Sequence, residues 1–322
     1  MARAGFVLPV VALLALGAGW GLSATLSKIA VSTGHRPFGL LMWQTVIGAS
    51  VLGAILLTRG RRVRFGRAQI ATCLLISLAG SVLSGIAYYS AVTHLPVGIV
   101  VILLSLMPMI AFPMALALGV ERFGAWRLVG LALGLVGVAL IALPDASLPE
   151  RAALAWVPVA LVAPLLYAAE GVGIARWGTA GLDPFETLFG ANVIGVALSV
   201  PLALGTGQMV DPRMAWGAPE WAILGAATIN AFVYSGYVWL VARAGAAFAA
   251  QCSYLVTGFG VLWAMAILGE RYGASVWAAL AAMLAGLALV QPRPAPPDPL
   301  ADPLAPPPAD PPPEPLPADA PR

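Results

Sequence analysis

The sequence predicts an all-α polytopic membrane protein, with ten transmembrane helices arranged as two inverted five-helix repeats. Three observations predict it. Hydrophobic residues make up 60% of the 322-residue chain and charged ones only 10%, against roughly 25% charged in a soluble domain. So little polar surface could not cover a water-soluble core of that composition. The apolar segments run about 17–25 residues, the length that crosses a bilayer as helix. Finally, Met114–Ile141 and Trp263–Val290 read as one element written twice. With Glu121 set on Glu270, 12 of the 27 positions from Ala115 to Ile141 are identical to those from Ala264 to Val290. Each copy is an apolar helix, a charged joint (Glu121-Arg122-Phe123-Gly124-Ala125 and Glu270-Arg271-Tyr272-Gly273-Ala274) and a second apolar helix. A period near 149 residues is too long for a solenoid and marks two copies of a half-domain.

In chain order the expected spans are Phe6–Ala30, Phe38–Thr58, Ala68–Ala91, Val97–Val120, Ala125–Leu143, Leu154–Trp177, Pro184–Leu204, Glu220–Ala242, Ala247–Gly269 and Ala274–Gln291. The first is too long for a cleaved signal peptide and has a counterpart in the second half. Pro37-Phe38 aligns with Pro184-Phe185, and Val46-Ile47-Gly48 with Val193-Ile194-Gly195. Residues 1–143 therefore make the first repeat and 144–291 the second. Because five is odd, the second copy enters the membrane from the opposite side, an architecture typical of secondary transporters.

Arginine placement orients the chain. With the N-terminus inside, Arg3, Arg59, Arg61, Arg62, Arg64, Arg67, Arg122, Arg127, Arg176, Arg243, Arg293 and Arg322 are cytoplasmic, and only Arg36, Arg151, Arg213 and Arg271 are outside. Both termini are expected in the cytoplasm. Residues 292–322 hold 15 prolines and five acids, too little apolar surface to fold, and are expected as a disordered, partly polyproline II cytoplasmic tail. Cys73 and Cys252 lie in apolar runs and read as small buried hydrophobes, not a disulfide framework.

Polar residues at membrane depth are costly and are read as functional first. Glu170, in the sixth span, is a proton or cation site, a counter-ion for a positively charged substrate, or a hydrogen-bonded carboxyl between helices. Lys28, near the outer end of the first span, either binds a substrate carboxylate or snorkels to the interface. The two should lie roughly 20 Å apart along the membrane normal, too far for an ion pair. Gln44 and Asn192 are expected to bridge helices by hydrogen bonds. Tyr88, Tyr89, Tyr234, Tyr237 and Tyr254 suit a cavity wall, where a buried hydroxyl finds partners, and Trp239 suits the interfacial belt. His94 is expected as a solvated loop residue. Pro108, Pro113 and Pro164 should interrupt helices, Gly130, Gly134 and Gly137 should form a packing face, and the paired Glu-Arg joints should hold tight helix–turn–helix corners.

No G-x-x-x-x-G-K-[ST] loop occurs, so direct use of ATP is not expected, and neither a metal motif nor a nucleophile elbow is visible. A membrane-embedded enzyme using Glu170 and His94 as acid–base groups is the alternative class. Trp20-Gly21 with Lys28, Ser105-Leu106-Met107-Pro108, and the joints Gly119-Val120-Glu121-Arg122 and Leu268-Gly269-Glu270-Arg271 resemble the EamA-type members of the drug/metabolite transporter superfamily over residues 6 to 291. That resemblance implies a ten-helix carrier of the bacterial inner (plasma) membrane, exporting amino acids, metabolites or small organic compounds through a cavity between the halves. The chain departs from it in having Gln44 where many members carry Arg, Thr257 where they carry Pro, and Glu170. The expected function is thus alternating-access transport of a small-molecule substrate, with protons or another coupling ion, in a lipid bilayer. Enzymatic activity, cofactors, metals and nucleic acid are not expected. The expected substrate-binding residues are Trp20, Lys28, Tyr88, Tyr234, Tyr237 and Tyr254, and Glu170 is the expected proton-coupling residue.

Overall fold

The computed structural model describes residues 2–32, 34–60, 65–121, 123–141, 151–213, 215–244, 246–249 and 251–290. The expected tail, 292–322, lies outside the described residues, as do Arg61, Arg62, Arg64, Arg122, Arg293 and Arg322 and the side chains of Arg3 and Arg151. The described residues form helices and no strands. In order these are α1 (Ala2–Ser32), α2 (Pro37–Thr58), α3 (Arg67–His94), α4 (Val97–Ala117), α5 (Ala125–Ile141), α6 (Val157–Trp177), α7 (Pro184–Gly205), α8 (Ala218–Ala244), α9 (Cys252–Leu268) and α10 (Ala274–Val290). Seven of them are long and apolar enough to cross a membrane; α5, α9 and α10 are apolar but shorter.

Local chemistry sets the ends. Pro37 and Pro184 open α2 and α7, where the missing N–H is not needed. Asp183 and Glu186 add a reciprocal capping box to α7. Gly269 closes α9 in the left-handed conformation (φ 68°), which costs glycine nothing. The interruption expected at Pro108 is found: Ser105 and Leu106 turn tightly, Leu106 N donating to Leu103 O at 3.1 Å, and the helix restarts at Met107. Pro113 and Pro164 instead lie within continuous helix. The ninth span begins later than expected. A short helix, Ala246–Ala249, precedes it, and i→i+3 bonds from Gln251 N to Phe248 O and Tyr254 N to Gln251 O tighten the joint. Within α3, Leu78–Val82 is a π-helical turn.

Packing follows the repeat. α1 lies on α8 and α9, and α6 on α3 and α4; α2 packs on α7 and α8, and α7 on α2 and α3; α5 packs on α10 and α4 on α9. Exchanging each helix for the one five places along maps this pattern onto itself. The corresponding pairs run antiparallel. The start of α2 meets Gln208, just past α7, while Gly53 lower on α2 meets Phe189 near the start of α7. In the same way Gly130 of α5 touches Gly286 of α10, and Gly137 touches Met283. A methyl on Gly286 would stand 2.6 Å from the Gly130 carbonyl oxygen, so two glycines let these helices approach backbone to backbone.

The first part of α4 is the most enclosed stretch: Val97, Ile99, Ile102 and Leu103 are all fully buried. With Ala30, Val31, Leu40, Val92 and Leu95 they form a continuous apolar cluster at the α3–α4 end of the bundle. That cluster continues along α4, α5 and α10 to Phe112 and Val290, and toward the other end two smaller clusters lie between α1, α8 and α9 and between α2 and α7. Exposed tryptophans, including Trp126, Trp177, Trp221 and Trp239, stand on the outer surface, where amphipathic rings suit a membrane interface.

Candidate functional site

Between the halves lies a cavity of about 540 Å³, within the usual range of small-molecule sites. It takes its walls from α1, α2, α3, α4, α6, α7, α8 and α9. The sealed cluster bounds it toward the α3–α4 joint. Toward the other end its lining runs past Tyr237 to Cys252 and Ser253 in the first turn of α9.

One wall is aromatic. The Trp20 ring stands edge-on to Tyr234 at 6.5 Å between centroids and tilts over Tyr237 at 5.5 Å. The residues three apart on α8 present their rings to one side because that spacing shares a helix face. Tyr88 and Tyr89 of α3 meet edge-to-face at 5.3 Å. Tyr89 donates its hydroxyl to Gln44 Oε1 at 2.5 Å, joining α3 to α2, which is the bridging expected of Gln44. Asn192 differs: its Nδ2 donates to Leu188 O of its own helix at 2.8 Å, and its Oδ1 faces Gly48 of α2.

Glu170 enters the cavity from α6. It is half-buried, and its carboxylate lies against Gly80 in the π-helical turn of α3, where a side-chain methyl would collide with it. Such turns break the regular helical repeat and recur at functional sites. Among the described residues no hydrogen bond or ion pair reaches this carboxylate, although it is near enough to Tyr167 and Tyr234 to act on them electrostatically. In the other half Ser23 of α1 meets Asn230 of α8 through a 3.1 Å hydrogen bond. The repeat thus sets a neutral pair against a carboxylate facing Gly80.

Of the residues expected at the site, Trp20, Tyr88, Glu170, Tyr234 and Tyr237 line this one cavity. Lys28 and Tyr254 stand outside its lining. Lys28 Nζ donates to Val92 O at 2.5 Å and Leu95 O at 2.9 Å, tying α1 to the α3–α4 joint. His94 and Glu170 are not brought together: the His94 ring stacks on Trp156 at 3.6 Å and bonds Ser90 O through Nδ1. Asn230, Ser23 and the π-helical turn were not singled out by sequence. The Ala79-Gly80-Ser81 run of small residues inside an apolar span was the available signal.

The charged joints diverge. Glu121 ion-pairs with Arg127 at the start of α5, a corner of the expected kind. Glu270 instead reaches across to α4, accepting from the N–H groups of Val97 at 2.8 Å and Gly98 at 3.2 Å. Tyr272 donates its hydroxyl to the same carboxylate. Burial, and then the neighbouring Glu270, raises the Tyr272 hydroxyl above its ordinary pKa, so it remains a donor.

A search among curated proteins found no match. A solved crystal structure of a protein superposes with a TM-score of 0.58 over 89% of this chain and 97% of that chain, at 18% identity; the likeness is one of fold. A model of the EamA-like transporter family matches twice, over residues 7–143 and 154–291. Two copies of that family's unit, covering nearly all of the described helices, make this chain a member of the EamA-like transporter family of the drug/metabolite transporter superfamily.

Proposed function

We propose that the protein is a secondary carrier that exports a small molecule across the bacterial inner membrane by alternating access, driven by protons bound at Glu170. In this reading ten helices cross the bilayer, the second five inverted relative to the first, and both termini are cytoplasmic. The antiparallel packing of α2 on α7, α4 on α9 and α5 on α10 supports the inversion. The observation that carries the function is the cavity itself. It lies between the halves, reaches the first turn of α9, and is walled from the α3–α4 joint by buried apolar side chains. A path open toward one side and sealed toward the other is what a carrier needs in each of its two states. Exchange of roles between the corresponding joints would turn one state into the other.

Proton coupling rests on Glu170 as a carboxylate in a largely apolar cavity, with no described partner to neutralise it. The test is flux in proteoliposomes, with and without an imposed pH gradient, across a panel of amino acids and small amines. Gradient-driven flux that Glu170→Gln abolishes is the expected result. Flux indifferent to that substitution would keep the carrier and remove the coupling role; no flux with any compound would count against the carrier.

A further inference from the structure

Among the described residues that line it, the cavity holds a formal negative charge and no formal positive one: Glu170 is its acidic side chain, and no described lysine, arginine or histidine joins it there. Lys28, the cation expected at the site, spends its ammonium on the carbonyls of Val92, Thr93 and Leu95. Tyr167 and Tyr234 stand near enough to the carboxylate to interact with it electrostatically, and Trp20, Tyr88 and Tyr237 line the same cavity. Aromatic faces carry negative potential and attract cations, most strongly where water is excluded. A carboxylate that shares its cavity with such rings suits an ammonium group held between the two.

From this arrangement we infer that the cavity binds organic ammonium compounds, small amines whose apolar body rests on the aromatic wall while the charged nitrogen meets Glu170. The inference rests on the carrier reading above and names its substrate class. A zwitterion or an acid is disfavoured, because its carboxylate would enter beside Glu170 with no cation to receive it, and a buried unpaired anion is expensive. Neutral compounds fit the walls but leave Glu170 unpaired. The cavity volume of about 540 Å³ accommodates an amine of drug-like size.

The test uses four compounds with one body: 2-phenylethylamine, its neutral counterpart 2-phenylethanol, the zwitterion L-phenylalanine and the anion 3-phenylpropionate. Binding to the purified full-length protein in detergent is followed by calorimetry. The amine is expected to bind at least about tenfold more tightly than each of the others. Glu170→Gln is expected to abolish that preference, and Glu170→Asp to keep most of it. Tyr234→Leu, which retains the carboxylate, is expected to weaken the amine several-fold while leaving 2-phenylethanol less affected. Monodispersity by gel filtration checks that each variant is folded. Equal or tighter binding of L-phenylalanine, a preference that survives Glu170→Gln, or no amine binding at all would overturn the assignment. Flux of the same four compounds in proteoliposomes separates the two claims. Glu170-dependent amine binding without movement of any compound would sink the carrier and leave the ammonium site standing. Movement of the zwitterion or anion alone would sink the ammonium site and leave the carrier standing.

Discussion

Glu270 Oε1 accepts a 2.8 Å hydrogen bond from the backbone N–H of Val97, a residue 173 positions away in the chain. Val97 opens α4, and the other Glu270 oxygen takes the next N–H, that of Gly98. A joint in the second repeat therefore caps a helix of the first. The unpaired N–H groups and the positive end of a helix dipole both favour a carboxylate at that spot.

Removing that cap should be costly. Glu270→Ala takes the carboxylate from two N–H groups at the buried end of α4, and Tyr272 loses one of its partners. We expect destabilisation of about 1–2 kcal/mol, seen as a lower melting temperature in detergent. Glu121→Ala should have a smaller effect, since it removes only a half-exposed ion pair, and such pairs contribute about 0–1 kcal/mol. Equal losses for the two variants would mean that Glu270 behaves as an ordinary surface charge.

Lys28 offers a second contrast. Its ammonium serves the carbonyls of Val92, Thr93 and Leu95 at the α3–α4 joint and does not line the cavity. Lys28→Met should leave those carbonyls short of a donor and destabilise the protein by about 1–3 kcal/mol. Ligand affinity in the cavity should stay within about twofold of the parent, as measured by calorimetry on the same preparation. A large loss of affinity with an unchanged melting temperature would instead return Lys28 to the binding site, as sequence reasoning expected.

The fold was legible because hydrophobicity and duplication act over long stretches. Composition alone requires a bilayer, and the Glu121/Glu270 register locates both repeats. The site was legible only where residue type is diagnostic. Glu170, Trp20, Tyr88, Tyr234 and Tyr237 stand out in an apolar chain, and they meet in one cavity. Lys28 stands out equally, but its partners are backbone carbonyls, which no sequence pattern reveals. Tyr254 looks like its fellow tyrosines and differs only in which way its helix faces. Glu270 reads as a solvated corner because the α4 terminus it caps is distant in sequence and near only in the fold. The π-helical turn at Leu78–Val82 is a backbone choice, weakly encoded by a few small residues.

The α5–α10 contact gives a prediction about packing alone. A Cβ at Gly286 would meet the Gly130 carbonyl oxygen at 2.6 Å and Met109 Cε at 2.8 Å. Backbone cannot move aside as a side chain can, so Gly286→Ala must push the helices apart. We expect a loss of about 1–3 kcal/mol, read as a lower melting temperature, with ligand binding in the remaining folded protein unchanged. Gly258→Ala on α9, with nothing within 4 Å of the added carbon, should be neutral or slightly stabilising.

Gly80 should behave in the opposite way to Gly286. Here the atoms a methyl would strike are the carboxylate oxygens of Glu170, the far end of a flexible side chain that borders open cavity. Gly80→Ala can therefore be relieved by a rotamer change of Glu170, and the melting temperature should move little. The displaced carboxylate, however, no longer stands where the proposed coupling role places it. A misplacement on the order of 1 Å can cost about a hundredfold in a positioned reaction, and we expect transport to fall at least about tenfold. The combination of near-parental stability with lost flux is the diagnostic outcome, measured by thermal melting and proteoliposome uptake on one preparation. Parental flux in Gly80→Ala would show that the position of Glu170 is not critical, and that the contact with the π-helical turn serves only packing.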